Sequence, residues 1–146
     1  MRKITHYFSF SGRTSRVAYW RTQIPLLLFL GICWCAGFLL AESTGVDVLS
    51  GLGLIAALPV FWAAVALLFR RLHDRNKSGW WLVPFYLAPS ILALIAKAML
   101  DKGGTLMAGL AALGELTLWL WAFVELGLLS GTRGKNRFGP DPHATT

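Results

Sequence analysis

From Val48 to Phe69 the chain reads VLSGLGLIAALPVFWAAVALLF, and the residues that follow, Arg70 to Lys77, read RRLHDRNK. The first stretch carries no charged side chain and is apolar all round, so a helix built from it has no polar face to offer water. A bilayer core about 30 Å thick needs roughly 20 apolar residues in a helix, because lipid supplies no partners for backbone amides and carbonyls. Val48–Phe69 meets that length unaided, and the basic run after it marks where the helix leaves the lipid.

Three further stretches repeat the pattern. Ile24–Ala41 is uncharged; Trp80 to Leu100 contains only Lys97, near its far end, where a long side chain can snorkel to the headgroups. The fourth, Thr105 to Ser130, contains Glu115 and Glu125. Only Asp101, Lys102, Gly103 and Gly104 separate the third and fourth, which makes those helices antiparallel neighbours. The composition agrees. Of 146 residues, 55% are hydrophobic and 14% charged, where a soluble domain carries about 25% charged residues. A cleaved signal peptide is a poor reading of the start, because a long segment with five Lys/Arg precedes the first apolar run. The expected fold is all-α: an integral-membrane four-helix bundle forming one domain over residues 1–146, with a polar segment at 1–21 and a tail at 131–146.

The charges set the orientation. Arg2, Lys3, Arg13, Arg16 and Arg21 precede the first span, Arg70, Arg71, Arg75 and Lys77 join the second to the third, and Arg133, Lys135 and Arg137 lie in the tail. Twelve of the fourteen Lys/Arg thus fall on one side, which the positive-inside rule makes cytoplasmic, with both termini. Tyr19, Trp20, Trp80 and Trp81 flank the same boundary and read as an aromatic belt.

Small residues let membrane helices approach closely. Gly53, Ala57 and Ala64, edged by Ala56 and Ala63, form such a stripe on the second span; Gly104, Ala108, Ala111 and Ala112 form another on the fourth, with Glu115 beside Ala108. Glu115 is therefore expected to face protein. Pro59 and Pro89 predict kinks.

An acidic residue near the centre of a membrane helix costs about 2.5 to 3.5 kcal/mol on insertion scales, so both glutamates need compensation. Glu115 is expected to be a protonated carboxyl hydrogen-bonded to a neighbouring helix, or else an ion- or proton-coupling site. Glu125, nearer the cytoplasmic end, has the depth to reach Arg21 or Arg70. His73 beside Asp74 looks like an oriented base, yet no nucleophile, oxyanion donors or phosphate cradle accompany it. Ser78 is placed to cap the third span. Cys33 and Cys35 point to opposite sides of one helix, and His6, His73 and His143 lack metal-ligand spacing, so neither a disulfide, a metal nor any other cofactor is expected. No groove-reading motif supports nucleic-acid binding.

Three blocks carry a resemblance: FSFSGRTSRVAYW at 8–20, RRLHD at 70–74 with SGWW at 78–81, and GKNRFGPDP at 134–142. In this order the chain resembles the DUF805 family of small bacterial inner-membrane proteins, the YhaH-like proteins, over nearly its whole length. The resemblance implies a multi-span inner-membrane protein and no established activity. Ala18 and Lys135 stand where many members carry an acidic residue, which makes this face more basic.

All three blocks fall on the cytoplasmic side of the charge-derived topology. The expectation is a polar cluster in which Arg13, Arg16, Arg70 and Arg71 surround Asp74 and Asp141, beside His73, Ser78 and Asn136, with Phe138 and Trp81 packing beneath and the Gly139-Pro140 turn folding the tail against the bundle. Arginine suits this role because its planar fork grips a carboxylate bidentately. The function that follows is non-enzymatic: a basic face binding anionic lipid headgroups, a membrane partner or another copy of the chain. The alternative is a small oligomeric transporter or channel with Glu115 as its coupling residue.

Overall fold

The computed structural model describes the backbone of residues 8–44 and 47–142, and the side chains within these except at 44, 47–54 and 56. Arg2, Lys3, His6 and His143, together with the surroundings of Gly53 and Ala56, lie outside the described residues. Four long helices account for most of the chain: α1 (Arg16–Thr44), α2 (Asp47–Asp74), α3 (Ala88–Asp101) and α4 (Thr105–Phe123). A 3-10 turn, Gly79–Trp81, and a π turn, Val83–Leu87, lead into α3, and a second π turn, Val124–Leu128, ends α4. Among the described residues there is no strand; the tail makes one isolated bridge between Asn136 and Gly139.

Three of the helical stretches, Arg16–Ser43, Gly79–Asp101 and Thr105–Leu128, are long and apolar enough to cross a membrane. Their surfaces carry large apolar side chains outward: Leu106 is 71% exposed, Leu94 68% and Ile32 66%. Such a surface is suited to hydrocarbon and not to water.

Two helix boundaries differ from the sequence-based expectation. Helix α1 starts at Arg16, well before Ile24, because Ser15 begins it: the Ser15 carbonyl accepts the Tyr19 amide at 2.8 Å and its Oγ the Ala18 amide at 3.4 Å. Helix α2 does not stop at Phe69 but continues to Asp74, so Arg70 and Arg71 are helical and not loop. It closes with Asn76 in the left-handed region (φ 57°), the Lys77 amide bonding back to Leu72 and the Asn76 amide to His73. The same closure ends α3, where Gly103 (φ 76°) lets the Gly104 amide reach the Met99 carbonyl at 2.8 Å. That turn makes α3 and α4 an antiparallel hairpin, as the short connection predicts.

Helices α1 and α2 form the other hairpin, and among the described residues the two hairpins approach each other only at one end, through the π turn after α4 and the turns before α3. The buried core sits at that end: Tyr19, Leu67, Leu68, Leu72, Phe85, Ala122 and Leu126. Two aromatic residues expected in a lipid-facing belt are drawn inward there. Tyr19 is buried in the core and Trp20 packs against it, donating its indole N–H to the Gly127 carbonyl at 3.0 Å, whereas Trp80 is exposed. Ala63 and Ala64 are buried, as is Ala108, while Ala112 is exposed, so the stripe on α4 is only partly covered. The irregular backbone near Pro89 falls in the π turn just before it; Pro84 and Pro89 both lack the amide that a regular α-helical ladder would use. Helix α2 continues through Pro59.

Candidate functional site

A helix leaves its last four carbonyls without intrahelical partners, and its C-terminal end carries partial negative charge. At the end of α4 the π turn and the residues after it expose a run of such carbonyls, and arginines from the other elements take them. The Arg71 Nε donates to the Leu126 carbonyl at 2.7 Å and its Nη2 to the Leu129 carbonyl. Arg16 Nη1 donates to the Leu128 carbonyl at 2.7 Å, and Arg75 Nη1 to the Ser130 carbonyl. Basic side chains thereby replace the water that would cap an exposed helix end.

Asp74 is the counter-charge. It is 2% exposed, and its Oδ2 accepts from Arg71 Nη1 at 2.7 Å while Oδ1 receives Arg13 Nε at 3.1 Å and Nη2 at 3.0 Å. Arg71 and Asp74 meet because α2 continues past Phe69, which sets them three residues apart on one helical face. Arg13 completes the clasp by donating to the carbonyls of Thr132 and Gly134, the latter at 2.6 Å. The Asp74 carbonyl accepts the Thr132 amide at 2.8 Å and the Thr132 hydroxyl at 3.0 Å. The amino-terminal segment, the end of α2 and the tail are thus tied at one carboxylate. Burial lowers the Arg71 pKa and the Asp74 charge opposes that shift, and the guanidinium stays protonated.

The chain passes so close that a side chain is excluded: a Cβ on Gly131 would lie 2.0 Å from Asp74 Oδ2, and one on Gly79 would lie 1.9 Å from the Phe69 ring. A second ion cluster lies alongside, where Glu125 Oε1 accepts from Arg75 Nε at 2.9 Å and Lys77 Nζ at 3.1 Å.

The tail docks through His73. Its Nδ1 lies 3.2 Å from the Gly12 carbonyl, which fixes the hydrogen on that nitrogen in the neutral ring, and the ring stacks on Phe138 with centroids 3.9 Å apart. Asn136 Nδ2 donates to the His73 carbonyl at 2.9 Å and to the Thr132 hydroxyl at 2.8 Å, and its Oδ1 accepts the Phe138 amide. Burial pushes the His73 pKa down, and Arg137 adds to the effect.

Of the residues expected in the cluster, Arg13, Arg71, His73, Asp74, Asn136 and Phe138 come together. Others take different roles. Arg16 holds a carbonyl and not a carboxylate. The buried Arg70 contributes its carbonyl to the Thr14 amide at 3.1 Å. Asp141 accepts the Gly134 amide at 2.8 Å and so closes the tail turn on itself. Trp81 does not share a platform with Phe138: it packs with Phe85 and Trp121, and Lys77 Nζ lies 3.8 Å above its ring. Ser78 precedes the 3-10 turn without a side-chain cap; its carbonyl accepts the Trp81 amide. Glu125 pairs with Arg75 and Lys77, not with Arg21 or Arg70, because the π turn aims it at the end of α2. Glu115 is half-buried and makes no hydrogen bond to a neighbouring helix among the described residues.

Sequence reasoning missed Trp20, Arg75, Lys77, Gly131 and Thr132. The general need of a helix C-terminus for donors was the available signal, together with an acid at 125 a few residues before the end of an apolar run.

The family described as "Protein of unknown function (DUF805)" matches residues 7–140. Inner membrane protein YhaH of Escherichia coli K12 is 29% identical over 145 residues, covering 97% of this chain and 93% of that one. Inner membrane protein YhaI of the same strain is 28% identical over 139 residues, covering 95% and 90%. YiiR, also from that strain, is 27% identical over 151 residues, covering 92% and 86%. No solved structure matches. With the family pattern running from the amino-terminal segment through the clasp to the tail, the chain belongs to the DUF805 family of membrane proteins.

Proposed function

We propose that the chain is a non-enzymatic inner-membrane protein that crosses the bilayer four times, keeps both termini and the arginine clasp in the cytoplasm, and binds anionic lipid headgroups through its remaining basic side chains. Relatives named inner membrane proteins and three span-like helices support the setting. The observation that carries the binding reading is the division of labour among the cations. Arg13, Arg71, Arg75 and Lys77 are engaged by Asp74, Glu125 and backbone carbonyls. Arg21, Arg133 and Lys135 are exposed and meet no acidic side chain among the described residues. Basic groups held at an anionic leaflet contribute about 1 kcal/mol each.

The clasp itself is closed to a substrate: every guanidinium nitrogen of Arg13 and of Arg71 already donates, and the two side chains are 1% and 0% exposed. The test is lipid composition around the purified protein. In nanodiscs of mixed phosphatidylethanolamine and phosphatidylglycerol, the wild type should enrich phosphatidylglycerol, and Arg21→Gln/Arg133→Gln/Lys135→Gln should lose about tenfold or more of that preference at unchanged melting temperature. Equal retention of both lipids by the wild type would refute the reading.

A further inference from the structure

Away from the clasp the hairpins separate, and between them lies a cavity of about 560 Å³. That size falls within the range of small-ligand sites, about 300 to 1,000 Å³. Leu27 and Leu30 of α1, Phe61 and Leu68 of α2, and Trp119 and Phe123 of α4 supply its walls. Among the described residues no charged side chain lines it. Its end toward the clasp is closed by the core residues Tyr19 and Leu126, and the Trp20 indole there is already satisfied by Gly127.

The Tyr19 and Tyr86 hydroxyls in the lining bond to each other, whereas Gln23 breaks the apolar wall without such a partner. It is 4% exposed, it lines the cavity, and its Oε1 has no hydrogen-bond partner among the described residues. A buried amide oxygen without a donor is unfavourable, and native structures rarely leave one unexplained. Leucine at this position would fill similar space without that penalty, so the glutamine points to a ligand group.

We propose that this cavity binds a neutral lipid bearing a hydroxyl, a monoacylglycerol or a lipid alcohol, with the hydroxyl at Gln23 and the chain running along α1 toward Leu30. The hydroxyl donates to Oε1 and accepts from the amide N–H, which satisfies both ends of the side chain. The distance from Gln23 to Leu30 along the helix is about 10 Å, enough to align a substantial part of an aliphatic chain against Leu27 and Phe61. A phosphate or carboxylate headgroup is disfavoured because the described lining holds no cation to offset its desolvation. The site uses none of the exposed basic residues, so it stands or falls independently of the anionic-lipid reading.

The full chain in phosphatidylcholine nanodiscs, with a photoactivatable monoacylglycerol as probe, tests this. Crosslinks should map to α1 and α4 peptides bordering the cavity and should be competed by unlabelled monoolein, but not by lysophosphatidylglycerol at the same level. Gln23→Leu should weaken monoolein competition about tenfold, the loss of one hydrogen-bonded group, while melting no lower than the wild type. Leu27→Trp, which fills the cavity from a half-exposed position, should abolish specific crosslinking. Equal monoolein competition in wild type and Gln23→Leu would overturn the proposal, as would crosslinks that no lipid competes, the outcome expected if only water occupies the cavity.

Discussion

Replacing Asp74 with asparagine removes one negative charge and almost no volume. The backbone carbonyl of residue 74 still accepts from Thr132, so the tail keeps that anchor. What changes is the environment of two guanidinium groups whose side chains are 1% (Arg13) and 0% (Arg71) exposed. An exposed ion pair contributes about 0 to 1 kcal/mol. Breaking a buried one by removing a single partner costs about 3 to 5 kcal/mol, because the remaining charge stays desolvated. Burial decides between the two, so the larger figure applies. For a chain of this size each kcal/mol moves the melting temperature by about 2 to 4 °C, which places the expected fall on the order of 10 °C. The seven tryptophans make intrinsic fluorescence a sufficient readout in mild detergent. Asp141→Asn is the internal comparison: it leaves the Asp74 carboxylate in place and weakens the bond from the Gly134 amide in the tail turn, a loss of about 1 kcal/mol. If Asp74→Asn melted within a degree of the wild type, or no lower than Asp141→Asn, the clasp would not be the stabilising element described here.

Gly131→Ala should destabilise by about 1 to 3 kcal/mol, since the new methyl would displace the Asp74 carboxylate, whereas Gly109→Ala, with nothing within 4 Å, should be neutral or stabilise α4 by up to about 1 kcal/mol; paired melting curves check this, and equal shifts would contradict it. His73 binds protons less readily folded than unfolded, so its contribution is complete above the unfolded value of about 6.5 and is lost as pH falls through the lowered folded value. The wild-type melting temperature should therefore drop from pH 7 to 5 more steeply than that of His73→Phe, which keeps an aromatic ring against Phe138; parallel curves would remove His73 from the explanation. Glu125→Gln should cost less than Asp74→Asn in the same melts, because the Arg75 and Lys77 side chains are 23% and 22% exposed and recover hydration.

Apolar runs made the helices legible, since hydrocarbon requires length and lack of charge, both visible in one dimension. The gathering of Arg13, Arg71 and Asp74 was legible because the charge sorting puts their segments on one side. The partner assignments were not. Arg16, Arg71 and Arg75 are directed by carbonyls, which every residue possesses and no side-chain pattern announces. The continuation of α2 through Arg70 and Arg71 was hidden because a run of cations reads as a solvated loop unless the distant tail that buries it is known. Asp141 adds a backbone partner of the same kind: its Oδ2 accepts the Gly134 amide, a bond that the side-chain pattern does not announce. The separation of the hairpins and the burial of Gln23 depend on helix placement in three dimensions, which small-residue stripes only partly report.

The proposed placement of the amino-terminal segment, the α2 end and the tail on the cytoplasmic leaflet is tested most directly by single-cysteine labelling in spheroplasts. With Cys33 and Cys35 replaced by alanine, Lys102→Cys and Lys135→Cys each place one thiol at an exposed position, in the α3–α4 turn and the tail respectively. A membrane-impermeant maleimide should label the cysteine at 102 in intact spheroplasts and the one at 135 only after lysis; labelling of the cysteine at 135 from outside would contradict the account.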